Sequence, residues 1–127
     1  MKIKLTSVLV NDQAKALKFY TEVLGFIKEM DMPAGEFRFL TVVSPDEPEG
    51  TQLLLEPNNN PAGATFQKSL FEQGIPLTAF AVDNMQKEYD RLKNLGVIFV
   101  GEPTRAPGPI TAVFNDTCGN FIQLFQI

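Results

Sequence analysis

The sequence predicts an α+β fold built from two βαβββ modules in one chain. With 127 residues, 44% of them hydrophobic and 20% charged, the chain has the size and balance of one compact domain. Its apolar residues alternate with period 2 in several short stretches, as in strands, and follow period 3.6 in two longer ones, as in helices. The same order of stretches occurs twice, at a shift of about 72 residues, which indicates an internal duplication.

The first module is expected to cover about residues 1–57. A strand at residues 3–10 precedes a helix that Asp12 caps and that ends near Leu24. Gly25 ends this helix, because glycine adopts a left-handed cap without steric cost. Three more strands follow, and residues 33–35 are predicted as the turn between the first two of them. These strands are predicted at residues 26–30, 37–43 and 51–56.

A linker and a short helix over residues 58–74 are expected to join the modules. Residues 57–63 read PNNNPAG, with three asparagines between two prolines, a composition typical of a mobile surface loop. The short helix is predicted from about Thr65 to Glu72. The connection is therefore expected to be loop first and helix second.

The second module, about residues 75–127, repeats the order of the first. A strand at residues 77–82 leads through Asp83 and Asn84 into a helix from Met85 to Leu95, which Gly96 ends as Gly25 ended the first. Because the Leu-Gly stop recurs at the same place in the repeat, duplication is favoured over coincidence. The last three strands are predicted at residues 97–100, 110–115 and 120–126, with a tight turn at residues 116–119.

Composition excludes several classes of function. The chain has no histidine, which removes the Ser-His-Asp triad, the Cys-His pair and every His-ligated metal site. A net charge of −4 without a run of basic residues argues against nucleic acid and anionic membranes as partners. The longest apolar runs have four residues, far below the roughly 20 that span a bilayer. With one cysteine, Cys118, and no secretory signal pattern, the protein is expected to be cytoplasmic.

Three segments resemble the vicinal oxygen chelate superfamily, which includes glyoxalase I, extradiol dioxygenases and bleomycin resistance proteins. They read VND with ALKFY and VLGF from residue 10, FAVDN with LKNLG from residue 80, and DTCGNFI from residue 116. The resemblance covers the whole chain. It implies a U-shaped, incompletely closed sheet around a cavity and, because members this short are usually dimers, a homodimer.

Metal-dependent members of this superfamily hold their metal at four inward-facing strand positions. The resemblance places three of these positions on Leu5, Leu77 and Gln123. The remaining one falls on Leu54 if Gly50 is matched to Gly119, or on Glu56 if the register slips by two residues. Leucine side chains cannot replace the hydration that a divalent cation loses. Neither a metal nor any other cofactor is therefore expected.

The residues expected to face the cavity are mostly apolar, with a few polar side chains. The predicted ligand pocket comprises Leu5, Ser7, Arg38, Gln52, Leu54, Glu56, Leu77, Phe121 and Gln123, with Phe125 beside them. Thr41 is an alternative to Arg38 on the third strand, and for Arg38 a surface ion pair is the other interpretation. Glu56 lies among leucines and could act as a general base, or could be a solvated carboxylate at a strand end.

Two functions agree with this site. The first is a non-catalytic protein that binds a small organic molecule in an apolar, metal-free cavity, as the drug-sequestering members of the superfamily do. The second is a glyoxalase- or dioxygenase-type enzyme, a lyase or an oxidoreductase, with an atypical site around Glu56 and Gln123. Cys118 has no histidine or other base near it in sequence and is interpreted as inert.

Overall fold

The computed structural model describes residues 1–105 and 107–126, so Ala106 and Ile127, the last residue of the second predicted module, lie outside the described residues. The chain divides into two compact units, Met1–Thr65 and the part from Phe66 onward. Each unit contains one sheet with a helix packed on it. The predicted α+β class is confirmed, and both units have the order strand, helix, strands, with one predicted strand of the second module reduced to a bridge.

The first unit is a four-stranded sheet with the order β1-β4-β3-β2. Its strands are β1 (Leu5–Val10), β2 (Ile27–Ala34), β3 (Phe37–Val43) and β4 (Gln52–Pro57). Strands β1 and β4 pair in parallel, and the other neighbours are antiparallel. The helix α1 (Gln13–Lys18) begins at Asp12, whose carboxylate accepts the Lys15 N–H at 3.0 Å. It continues as a π-helical turn, Phe19–Val23.

The second unit is a three-stranded sheet with the order β5-β7-β6. Its strands are β5 (Thr78–Ala81), β6 (Ile110–Asn115) and β7 (Phe121–Gln126). The helix α3 (Met85–Asn94) begins at Asn84, whose side chain accepts the Lys87 N–H at 3.1 Å. Another helix, α2 (Pro61–Glu72), begins in the first unit and ends in the second.

Both Leu-Gly stops are present as predicted. Gly25 has φ +91° and Gly96 has φ +90°, values that a side chain disfavours. After the first stop Phe26 N–H donates to the Tyr20 carbonyl, and after the second Val97 N–H donates to the Leu92 carbonyl. These bonds close the last turn of each helix.

One face of each sheet forms the core with its helix. In the first unit Val8, Leu40 and Leu55 are fully buried together with Ala16 and Tyr20 of the helical segment. In the second unit Phe114, Ile122 and Leu124 are buried, as are Met85, Tyr89 and Leu92 of α3. Side chains alternate along a strand, so the residues between these core positions lie on the opposite side, here called the open face.

Three local predictions were wrong. Strand β2 does not end before residue 33 but runs to Ala34, and it accepts Pro33 because it is the edge strand and needs no N–H there. Residues 61–63 are not loop. Asn60 caps α2 by accepting the Ala62 N–H at 2.9 Å, and Pro61 suits the first helical position, so the helix begins four residues earlier than expected.

The predicted strand at residues 97–100 is reduced to an isolated bridge between Phe99 and Phe114. Val100 N–H bonds to the Val113 carbonyl, and the next bond joins Thr104 N–H to the Thr111 carbonyl. Between these two bonds the chain advances four residues, from Val100 to Thr104, while β6 advances only two, from Val113 to Thr111. The additional residues, which include Gly101 and Pro103, interrupt the hydrogen-bond ladder.

Candidate functional site

The open face of the first unit gathers five of the predicted pocket residues. The parallel pairing of β1 with β4 sets Leu5 opposite Gln52, Ser7 opposite Leu54 and Leu9 opposite Glu56. These residues alternate with Val8 and Leu55, which are fully buried against the helix. Leu5 and Ser7 are exposed, whereas Gln52, Leu54 and Glu56 are half-buried. Each of the three pairs therefore joins one leucine to one polar side chain, so apolar and polar groups alternate across the face.

A short hydrogen-bond chain fixes the amide of Gln52. Met30 N–H donates to the Thr41 hydroxyl at 3.1 Å, and that hydroxyl donates to Gln52 Oε1 at 2.7 Å. Thr41 is fully buried and pairs with Leu54, so it lies on the open face. Because the amide oxygen is engaged, Gln52 presents its NH₂ group, which makes no hydrogen bond within residues 1–105 and 107–126.

Arg38 lies apart from these residues. It is three positions from Thr41 on the same strand and therefore points to the other side of the sheet, with Leu40. Its Nε and one terminal nitrogen donate to the Asp31 carboxylate at 3.0 and 2.7 Å. This bond lowers the pKa of Asp31 and raises the pKa of Arg38. The structure therefore shows Arg38 in an ion pair, which was one of the two interpretations of this residue. Of the two candidates on β3, Thr41 is the one that lies on the open face.

Gln123 is at the centre of the open face of the second unit. Its cross-strand neighbours are Ala79 on β5 and Val113 on β6, and Phe121 and Phe125 are its neighbours along β7. The side chain is half-buried, and its amide makes no hydrogen bond within the part of the chain that the structure describes. An amide in this position has both a donor and an acceptor for a ligand.

Leu77 and Phe121 border this face. Leu77 N–H donates to the Phe121 carbonyl at 2.9 Å just before β5 begins. The Phe121 ring is covered by Phe71 of α2, stacked at 4.5 Å with an interplanar angle of 5°. Gln67 of the same helix donates to the Cys118 carbonyl and to Asn120 Oδ1. The C-terminal half of α2 is thus bound to this sheet, and Cys118 is fully buried.

The strand registers decide which residue of β4 corresponds to Gln123. Ser7 pairs with Leu54 in the first sheet, and Ala79, its equivalent in the repeat, pairs with Gln123 in the second. Leu54 is therefore the equivalent of Gln123, and Glu56 corresponds to Phe125. The four positions that the resemblance assigns to a metal therefore carry Leu5, Leu54, Leu77 and Gln123.

This set of side chains does not fit a metal ion. It offers one neutral amide oxygen, whereas a bound divalent cation takes four or more N, O or S ligands. Within residues 1–105 and 107–126 no group of three or more Cys, Asp or Glu side chains could hold a metal ion. Nor does any helix there have the length and apolar character needed to span a membrane.

Sequence reasoning missed a cavity of about 370 Å³ at the end of β1 and β4. Leu9 and Glu56 line it at the ends of the two strands. Residues 57–60, which follow β4, and Ala62 and Gly63 of α2 complete the lining. The PNNNP sequence was the available signal. Its composition predicts a loop. The helix that begins at Pro61 instead brings this segment back over Leu9, which the sequence did not predict.

Comparison with known proteins defines the class. The superfamily described as Glyoxalase/Bleomycin resistance protein/Dioxygenase matches residues 2–124. The chain therefore belongs to this superfamily, as the resemblance in its sequence implied.

Individual proteins are similar along nearly the whole chain. YurT of Bacillus subtilis (strain 168) is 56% identical over 126 residues, which cover 99% of both chains. The crystal structure of UcmS2 is 36% identical with a TM-score of 0.84, over 98% of this chain and 97% of that one. TnmS3, an antibiotic binding protein from Streptomyces sp. CB03234, is 31% identical with a TM-score of 0.78, over 99% and 95% of the two chains.

Proposed function

We propose that this protein binds a small, largely apolar organic molecule without metal-dependent turnover. The observation that carries the proposal is Gln123, a half-buried amide without a hydrogen-bond partner among residues 1–105 and 107–126, on an apolar face at a position that the resemblance assigns to a metal ligand. An apolar surface with a few polar groups that orient the ligand is typical of small-molecule sites. The similarity to an antibiotic binding protein supports the same class of ligand.

The two open faces offer similar chemistry. In the first unit Leu5 and Leu54 form the apolar part, and the NH₂ group of Gln52 is the donor. In the second unit Phe125 and Val113 flank the Gln123 amide. We propose that aromatic or extended apolar molecules lie against these surfaces and that the amides select for hydrogen-bonding groups on them.

A fluorescent neutral naphthalene tests the proposal. N-phenyl-1-naphthylamine brightens in apolar surroundings, and the chain has no tryptophan to interfere. We expect saturable binding, with Leu54→Glu weakening it about tenfold or more because a carboxylate would occupy the apolar face. Leu95→Glu is the matched control, since Leu95 is 52% exposed at the end of α3, and it should bind as the unmodified protein does.

Turnover is the outcome that would reject a binding role. The protein, treated with chelator and then supplied with Zn²⁺ or Ni²⁺, is assayed on the hemithioacetal of methylglyoxal and glutathione, and we expect no reaction above background. Steady-state turnover that Gln123→Leu abolishes would favour the glyoxalase-type enzyme instead. Absence of saturable naphthalene binding would also contradict the proposal.

We further propose that the protein is a homodimer. Large apolar side chains are exposed in both units, including Ile3 and Ile27 in the first and Ile98 and Val100 in the second, the last two at 70% and 68%. Contiguous exposed apolar patches are typical of association surfaces, and we propose that these side chains contribute to such a patch. Light scattering after size exclusion should give twice the chain mass of 14.1 kDa, and a monomer at micromolar concentration would contradict this.

A further inference from the structure

We propose that the cavity at the end of β1 and β4 binds the ammonium group of an organic amine, with the Glu56 carboxylate as its counter-charge. The inference rests on the proposed function, because this cavity continues the open face of the first unit. The row that begins with the Leu5–Gln52 pair ends with the Leu9–Glu56 pair, and both members of that last pair line the cavity. An apolar ligand body on the face would therefore direct its end group into the cavity.

The cavity is large enough to hold the charged end group of a ligand together with the carbon atoms next to it. Its volume is about 370 Å³, near the lower limit of about 300 Å³ for ligand pockets. Leu9, Pro57 and the first turn of α2 supply apolar walls for the carbon next to the charged nitrogen. The polar part of the wall comes from Glu56 and residues 58–60.

The charge of the cavity lining favours a cationic ligand group. Glu56 is the one charged residue among the eight that line the cavity. Its carboxylate is half-buried and has no ion pair or hydrogen bond with any residue in 1–105 or 107–126. An ionised carboxylate accepts hydrogen bonds only, and an ammonium group donates three. Asn59, whose side chain also lacks a partner within the described residues, adds an amide oxygen for a second N–H.

The start of α2 does not turn this cavity into an anion site. Helix N-termini attract anions through their unpaired N–H groups. Here Pro61 has no N–H, the Ala62 N–H donates to Asn60 Oδ1, and the Ala64 N–H donates to the Asn60 carbonyl. Of the first four residues of α2, only Gly63 has an N–H without an acceptor among the described residues, so the helix start offers an anion a single donor. An anion would also face the Glu56 carboxylate directly.

A pair of naphthalenes that differ in one group tests the inference. The probes are 1-naphthylmethylamine, which is protonated at neutral pH, and the neutral 1-naphthylmethanol. Their fluorescence is followed with the unmodified protein, with Glu56→Gln, and with the matched control Glu72→Gln, whose side chain is 64% exposed on α2. Melting midpoints of all three proteins show that the variants remain folded.

We expect the unmodified protein to bind the amine about tenfold more tightly than the alcohol, the size of one charge-assisted hydrogen bond. Glu56→Gln should bring the two affinities within about twofold of each other, by weakening the amine alone, and Glu72→Gln should change neither. The preference should also shrink when salt is raised from about 0.05 to about 0.5 M, because salt screens a partly exposed ion pair.

Two results would overturn the inference while the proposed function stands. One is equal binding of both naphthalenes by the unmodified protein, and the other is a preference for the amine that Glu56→Gln leaves intact. If neither naphthalene binds and N-phenyl-1-naphthylamine does not bind either, the proposed function fails and the amine site fails with it.

Discussion

The strands β1-β4-β3 of the first unit and β5-β7-β6 of the second share one order, but different contacts hold the two sheets together. In the first, β3 and β4 pair only around Thr41 and Val42 and then separate. The buried amide of Gln13 joins them, donating to the Arg38 and Leu55 carbonyls at 2.6 and 2.9 Å and accepting the Arg38 N–H at 3.0 Å. A side chain from the helix thus replaces hydrogen bonds that the separating strands cannot make.

In the second unit β6 and β7 pair over their full length, and no such bridge is needed. Gln126, at the end of β7, accepts the Met85 N–H at 2.6 Å and ties the start of α3 to the sheet. The unpaired backbone therefore lies on the separating strands in the first unit and at the start of the helix in the second. The comparison teaches that a shared strand order does not fix where polar backbone is left over or which side chain satisfies it. Four predictions test this difference, from the largest expected effect to the smallest.

The largest effect is expected at the turn of the second unit. A Cβ atom on Gly119 would lie 2.7 Å from Nε2 of Gln67, which is buried and bonded to Cys118 and Asn120, and Gly119 has φ +101°. Gly119→Ala should lower the free energy of unfolding by about 2–4 kcal/mol, from the strained backbone and the displaced amide. Urea denaturation measures it. A change below about 0.5 kcal/mol would show that Gln67 moves aside freely.

The bridge of the first unit should matter more than its counterpart in the second. Gln13→Leu removes three hydrogen bonds to largely buried backbone and should cost about 2–3 kcal/mol. Gln126→Leu removes one part-buried bond and should cost about 1 kcal/mol. Urea denaturation of both variants gives the two values. Equal costs would mean that the separation of β3 and β4 does not depend on Gln13.

A glycine in the first unit should behave in the opposite way to Gly119. Gly63 lies inside α2, and a Cβ atom there would meet only the Leu9 side chain, at 3.5 Å. Gly63→Ala should therefore raise the free energy of unfolding by about 0.5–1 kcal/mol, since alanine loses less backbone entropy in a helix. Thermal denaturation would show a higher midpoint. A lower midpoint would indicate that the contact with Leu9 is repulsive.

The smallest effect is expected at the Asp31–Arg38 pair of the first unit. The hydrogen bond from Arg38 lowers the pKa of Asp31 below its ordinary value of 3.8. The pair therefore stabilises the folded state above about pH 4, and this contribution is lost as the pH falls through the lower, folded-state pKa.

Asp31→Asn should accordingly be less stable than the unmodified protein near neutral pH, and the difference should vanish in acid. Arg38→Gln should show the same window, because it removes the other partner of the same bond. Urea midpoints measured across acidic and neutral pH give both profiles. A difference that persists unchanged in acid would assign the effect to packing instead of charge.

Much of the fold could be predicted from local patterns. The two helices, their caps at Asp12 and Asn84 and their ends at Gly25 and Gly96 follow from residue types a few positions apart. The predictions were wrong for segments whose structure depends on a residue far away in the sequence. The segment at residues 97–100 has a strand composition but only a bridge to Phe114. Pro33 looks like a turn residue, yet an edge position accepts it.

In the candidate site, too, local patterns predicted some features and distant contacts decided others. The period of two placed Leu5, Ser7, Gln52 and Leu54 on one face, and the structure agrees. The period could not separate Leu54 from Glu56, because residues two apart on a strand share a face. It put Arg38 and Thr41 on opposite faces of β3, but only the pairing of β3 with β4 shows that Thr41 shares the face of Leu54. Parity along a strand is local information, but register is a property of two strands.

The sequence by itself determined the α+β class, the two capped helices with their Leu-Gly stops and the family of this protein, because hydrophobic period, helix caps and short motifs act within one turn or one strand. Only the tertiary structure showed that Ser7 pairs with Leu54, that Gln13 joins two separating strands, and that α2 folds residues 58–60 into a cavity beside Glu56. These features depend on hydrogen bonds between residues far apart in the chain, and no local pattern specifies them.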